Sequence, residues 1–345
     1  MDYDDFSMNP VGTGPFMFDE WTPGSEVNLV KNPDWWGDGP TLDGITYRVI
    51  PEAGTQVVEL ETGGVHLITR ASLEDLERFE ENPDFVVEAP AAYRSRRLHF
   101  NVGMEPFDDI RIRQAINWAV DMPTIVEAIA SPLTVPGDSL IPAPGWGHPG
   151  EGVLPTYGYD PDKAHELIEE AGYELVDGFY EKDGERLSFD LLSPDYRYFM
   201  DRDICEAFAR QLEDVGIDVN LKVKEWGAFM DTVQASEHQM CFLGWNQSGA
   251  DPSLFTDALA MTGGRGNWSY RSDPRIDELC REAQQTTDID ERAELYKRIQ
   301  VKIHENAWFV FVGDEARTFI YPEYIEGYYP TAAVANDYTQ VIIGE

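Results

Sequence analysis

Between residues 187 and 243, apolar strand-like runs alternate with helical segments. Leu187 to Leu192 reads as a strand, Arg202 to Val215 as a helix with Gly216 as its stop, and Ile217 to Val223 as a second strand. A helix then starts at Trp226, and a third strand runs from Gln239 to Leu243. Strand, helix and strand in close succession mark crossover units, which need parallel neighbours and so confine this stretch to an α/β fold. Further strands read at Val65 to Thr69, Phe85 to Glu88, Arg97 to Val102 and Trp308 to Val312 predict a mixed sheet.

Helix starts are marked by polar caps. Ser72 caps a segment with Glu74 and Asp75 in its first turn, where acids suit the helix dipole. Asp109 opens a helix with Ile112, Ala115, Ile116, Ala119 and Val120 on one face. Asp121 with Pro123, and Asp160 with Pro161, start two more, and helices are expected over 273–285 and 289–305. Thr55 to Thr62 also reads as a helix, ended by Gly63-Gly64. Residues 131–159 form a long Pro/Gly-rich loop carrying Trp146.

The stretch from Cys241 to Pro252 carries the most chemistry. Its apolar strand stops at Gly244, and Trp245, Asn246, Gln247 and Ser248 follow at once. Ligands of open α/β sheets bind at the carboxyl ends of strands, and a Trp beside amide and hydroxyl groups offers a flat wall with directional donors and acceptors. The same residues also read as a capped loop, with Asp251 as N-cap, Pro252 at N1 and Trp245 in the core. Trp146, Trp268 and Tyr270 are further candidates for a pocket lining, with core packing as the alternative for each.

Acidic residues number 64 against 26 basic, a net charge of −38, which makes nucleic acid and anionic membranes poor partners. The acids are spread along the chain rather than confined to a tail, and 42% of residues are hydrophobic, so a packed core is available. This is the balance of a halophilic surface on a globular protein. Cys205, Cys241 and Cys280 lack metal or redox spacing and read as buried thiols. The six histidines have no ligand spacing, and P-loop, nucleophile-elbow and EF-hand patterns are missing, so neither a metal nor a cofactor is expected. The acidic start, Met1-Asp2-Tyr3-Asp4-Asp5, is not an export signal, and no apolar run is long enough to span a membrane.

Several blocks resemble one known family. They are Asn9 to Phe16, Asn32-Pro33-Asp34-Trp35-Trp36, Pro106 to Ala115, Gly244-Trp245 to Asp251-Pro252, Asn267 to Tyr270 with Ser272-Asp273-Pro274, and Arg292-Ala293-Glu294-Leu295-Tyr296. In this order and spacing they resemble the large solute-binding proteins of ABC importers, the oligopeptide-, dipeptide- and nickel-binding receptors. The likeness runs from about Asn9 to Tyr329.

The resemblance implies a two-lobed, type II periplasmic-binding-protein-like fold with mixed sheets, the N-terminal part of one lobe missing. Residues 8–100 with 310–345 would form that lobe and 105–306 the other, the chain crossing near 101–107 and 306–314. It also implies a non-enzymatic, monomeric receptor, exported and lipid-anchored on the extracellular face of the membrane. Such a receptor captures a peptide or similar small solute and delivers it to ABC permease subunits. Trp245 would stack, Asn246, Gln247 and Ser248 would hydrogen-bond, and Trp268, Tyr270 and Trp146 would line the site. Where peptide-binding members carry an Asp for the peptide ammonium this chain has Ser248, and where an oligopeptide receptor carries an Arg it has Phe242. A neutral oligosaccharide is therefore an alternative solute, and a hydrolase using paired carboxylates a more distant reading.

Overall fold

The computed structural model describes residues 8–69, 71–143, 145–150, 152–247, 249, 251–331 and 336–344. They divide into two compact units, the first running to Pro90 and resuming at Arg317, the second spanning Ala91–Ala316.

The first unit is built from small antiparallel sheets. Phe16–Thr22, Glu26–Lys31 and Gly44–Arg48 form a meander. Phe319–Pro322 lies between Ile68–Thr69 and Phe85–Glu88 in a second sheet, and helices Ala53–Glu61 and Leu73–Glu80 accompany it. Ser72 caps the latter helix as expected, its side chain accepting the Asp75 N–H. An aromatic cluster of Phe319, Tyr321 and Tyr328 fills the interior, with Tyr338 stacked on Tyr328 at 5.6 Å.

The second unit is organised by a six-stranded mixed sheet. Its elements in chain order are β1 (Ala91–Phe100), α1 (Ile110–Ala119), α2 (Met122–Ala130), β2 (Thr134–Pro136), α3 (Pro161–Glu170), β3 (Ser188–Pro194), α4 (Asp201–Asp214), β4 (Asp218–Lys224), α5 (Trp226–Gln234), β5 (Met240–Asn246), α6 (Ser253–Leu259), α7 (Pro274–Gln285), α8 (Ile289–Glu305) and β6 (Phe309–Ala316). The strand order is β4-β3-β5-β1-β6-β2. β3 runs parallel to β4 and β5, whereas β1 is antiparallel to both β5 and β6. A small meander over residues 174–186 precedes β3 and was not anticipated.

Alternate residues of one strand serve opposite faces. Phe189 and Leu191 of β3 join the core under α1 to α4, whereas Leu192 packs with Phe229 and Val233 of α5. Phe208 of α4 is fully buried in the first core, a burial that contributes roughly 2 kcal/mol. α6, α7 and α8 build a separate core with Trp308 and Phe309. Arg113 of α1 is spent on backbone carbonyls: it donates to Phe107 O at 2.7 Å and Asn306 O at 2.9 Å, tying α1 to the end of α8. The three cysteines are free and buried.

The unit boundaries differ from those read in the sequence. The chain passes between units at 90/91 and 316/317, not near 101–107 and 306–314. β1 and β6 pair along their length, from His99 with Phe309 to Ala91 with Ala316, so both strands belong wholly to the second unit.

Candidate functional site

The carboxyl ends of the parallel strands β3, β4 and β5 come together, and the side chains just beyond them form an open pocket of about 220 Å³. Arg197 and Tyr198 follow β3, Trp226 and Met230 come from α5 after β4, and Leu243 to Asn246 belong to β5. Arg94 of β1 and Trp268 complete the lining. Pockets that enclose a whole small-molecule ligand run to about 300–1,000 Å³, so this one is sized for part of a solute.

Trp245 is set by glycine and by a hydrogen bond. Its indole N–H donates to Leu254 O at 3.0 Å, and its ring meets Trp268 edge-on at 5.5 Å. A Cβ on Gly266 would stand 2.6 Å from Trp245 Cζ3, so only glycine lets the ring lie there. Gly244 does the same for Tyr198, whose Cε1 would be 2.7 Å from an added Cβ. Trp226 also lines the pocket, stacked on Phe229 at 5.6 Å with the Arg197 guanidinium 4.8 Å over its ring.

The pocket is locally cationic in a strongly acidic chain. Arg94 is held by Glu315 at 2.7 Å, while exposed Arg197 forms no ion pair among the described residues. Burial raises the Tyr198 hydroxyl above its ordinary value, so it stays neutral, facing Gly244 O at 3.4 Å. Among the described residues no group of three or more His, Cys, Asp or Glu is placed to hold a metal ion.

The structure brings Trp245, Asn246 and Trp268 together at this pocket, with Asn246 exposed. It places the other candidates elsewhere. Gln247 is buried, its backbone N–H donating to Tyr93 O and its amide to Leu254 O, each at 3.0 Å. Tyr270 donates its hydroxyl to Val233 O at 2.6 Å and closes the end of α5. Trp146 packs edge-on to Tyr296 under the Arg292 guanidinium. Ser248 lies outside the described residues. Asp251 accepts the Ser253 N–H at 2.9 Å, as the capped-loop reading expects, and also pairs with Arg292. Phe242 is fully buried and unavailable to a ligand.

Sequence reasoning missed Arg94, Arg197, Tyr198, Trp226 and Met230. A signal existed for Arg197 and Trp226: each stands just after a strand that the sequence predicts, where a parallel sheet gathers its ligand-binding side chains.

Residues 1–267 match the family model for bacterial extracellular solute-binding proteins, family 5 (middle). The chain belongs to this family. It is 28% identical over 309 residues to the dipeptide-binding protein of Escherichia coli, covering 87% of this chain and 55% of that protein. It is also 28% identical over 330 residues to the oligopeptide-binding protein AppA of Bacillus subtilis, covering 92% and 59%. Among solved structures, the periplasmic binding protein DppA of Helicobacter pylori, in complex with the peptide STSA, superposes with a TM-score of 0.80 at 28% identity. That match covers 98% of this chain and 64% of the other. The chain thus spans just over half the length of the curated relatives it matches. The fold of this family-5 chain is that of the type II periplasmic binding proteins. Its relatives are solute-binding proteins rather than enzymes, and among the described residues no helix is long and apolar enough to cross a membrane.

Proposed function

We propose that this chain carries a peptide-binding surface of an ABC-importer receptor, and that the pocket at the ends of β3, β4 and β5 takes the carboxylate end of a short peptide. The observation that carries this reading is an exposed Arg197, lying over the Trp226 ring and without an ion-pair partner among the described residues, in one pocket with Trp245. A guanidinium recognises a carboxylate through directional charged hydrogen bonds, and flat aromatic walls accept the adjoining side chain. The peptide ligands named for the relatives support it. A neutral oligosaccharide has less in its favour, because it would leave the cationic wall unused. In this reading Trp245 stacks, Asn246 hydrogen-bonds and Trp268 lines the wall. Gln247, Tyr270 and Trp146 have no part in it. The receptor works as an exported, lipid-anchored monomer beside its permease subunits, and its acidic surface suits a saline medium.

Nuclear magnetic resonance of 15N-labelled indoles tests this at weak affinity. Free-acid di- to tetrapeptides should shift the Trp245 and Trp226 indole peaks of the 345-residue chain. Their C-terminal amides should bind at least about tenfold more weakly, and Arg197→Met should erase that difference. Unmoved indoles at millimolar peptide, or equal shifts by acids and amides, would count against the reading.

A further inference from the structure

Three basic side chains crowd one phenyl ring inside the second unit. The Arg97 guanidinium of β1 lies 5.5 Å from the centre of Phe309. Arg271 lies 4.3 Å from that same ring and 4.3 Å from Trp308. His99 meets Phe309 edge-on at 4.9 Å. All three are buried: Arg97 is 0% exposed, His99 1% and Arg271 3%.

Their hydrogen bonding is incomplete. Arg97 spends Nη2 on the Ser95 carbonyl and hydroxyl, and Arg271 spends Nη2 on Leu259 O. Among the described residues, Nε and Nη1 of both arginines, Nδ1 of His99 and Oγ of Ser269 are buried without a partner. Among the described residues no carboxylate pairs with either guanidinium. Asp314 attracts Arg97 from a distance but is engaged by the Ala143 N–H at 2.8 Å. The charges that Arg271 feels, Arg97 and Arg113, are both positive. The next arginines along β1 are treated differently: Arg94 and Arg96 share Glu315, at 2.7 and 3.7 Å.

Arginine does not give up its proton inside proteins, and a buried charge without a counter-charge is strongly unfavourable. The Ser95 and Leu259 carbonyls are taken up by the two Nη2 groups, and the atoms left over are guanidinium N–H donors, one ring nitrogen and one hydroxyl among aromatic walls, so the partner that suits them is an acceptor that is small, negative and cheap to dehydrate.

We propose that Arg97 and Arg271 together hold a small monovalent anion of the halide class, chloride in practice, beside the Phe309 ring. The ion ties β1 and β6 to the turn that carries Trp268 and Arg271. It is enclosed by the core and separate from the open pocket, so this inference does not rest on the peptide reading. Burial presses the Arg97 guanidinium down to about 9, and a bound anion removes that pressure.

Thermal melts of the 345-residue chain in potassium chloride, bromide and gluconate at matched ionic strength test it. Chloride and bromide should raise Tm above gluconate by about 3 °C or more, saturating with concentration. Arg271→Met should abolish the difference between anions. Crystals grown in bromide should show an anomalous peak within hydrogen-bond reach of Arg97 Nη1 and Arg271 Nη1, a readout that needs no variant to fold. Equal melting in chloride and gluconate, the same anion difference in Arg271→Met, or a bromide map empty at that place would each overturn the proposal.

Discussion

The guanidinium of Arg292 and the carboxylate of Asp251 meet through two parallel hydrogen bonds, Nη1 to Oδ2 at 2.9 Å and Nη2 to Oδ1 at 3.0 Å. A third bond, from Arg292 Nε to Ala283 O at 3.0 Å, anchors the same head group to α7. The loop after β5 is thereby fastened to the helical core. A lysine cannot reproduce the fork. Arg292→Lys should therefore lower stability by about 1 kcal/mol, discounted for partial exposure, and speed amide exchange at Gln247 and Leu254. Exchange unchanged at both amides would show that the loop is held by other means. The pair is also acid-sensitive. Burial raises the Asp251 carboxyl, but the bonds from Ser253 and Arg292 outweigh it and hold the value below the ordinary one. Its contribution is complete above the unfolded carboxylate value of about 3.9 and is lost as pH falls through the lower folded value.

Asp314 has the opposite sign. Burial lifts its carboxyl to about 6, against the pull of the Ala143 N–H and Arg97. The folded chain holds this proton more tightly than the unfolded one, so stability from this group is greatest in acid and falls as pH rises from about 4 to about 6. Asp314→Asn can still accept from Ala143. Relative to native, its unfolding free energy should gain roughly 1–3 kcal/mol across that window and stay level above it. A difference independent of pH would place the Asp314 proton elsewhere.

Gly266→Ala should displace the Trp245 indole, because the new methyl would also stand 2.9 Å from Leu259 Cδ2. Overpacking of this kind costs about 1–3 kcal/mol. The variant should melt earlier and change the near-ultraviolet circular dichroism of its tryptophans. Gly54→Ala is the control: a Cβ there meets nothing within 4 Å, inside helix Ala53–Glu61, and should be neutral or stabilising. Identical spectra for Gly266→Ala and native would mean that the ring has room to spare.

The net charge of −38 predicts a general response to salt, apart from any bound halide. Mutual repulsion among exposed carboxylates weakens as the Debye length shrinks from about 10 Å at 0.1 M to about 3 Å at 1 M. Tm should rise in potassium gluconate between ~0.1 M and ~3 M. A flat response in gluconate would contradict a repulsion-limited surface.

Much of the second unit could be read residue by residue. Asp109, Asp160, Asp273 and Asp288 all cap helices, accepting N–H groups of Arg111, Lys163, Arg275 and Glu291. Their signal is local: a short acid ahead of an apolar period, with proline just inside for Asp160 and Asp273. β1 was less legible. It begins at Ala91, whereas the apolar pattern suggested Arg97, because Arg94, Arg96 and Arg97 interrupt that pattern. Arg94 and Arg96 are tolerated in the sheet because of Glu315, more than 200 residues away, and no local rule exposes such a pairing. The pocket was half legible for the same reason. Trp245 and Asn246 announce themselves beside a strand end, but Arg197 and Trp226 become their neighbours only through the order β4-β3-β5.

The bond from the Trp245 indole to Leu254 O, with Gly266 beneath the ring, has a thermodynamic consequence. The torsional freedom of that side chain is surrendered when the protein folds. A molecule settling on the indole freezes no rotor of Trp245, and at this wall the ordering cost falls on the incoming molecule. Stiffening a ligand in advance should then tighten binding here, whereas stiffening the wall further should change nothing.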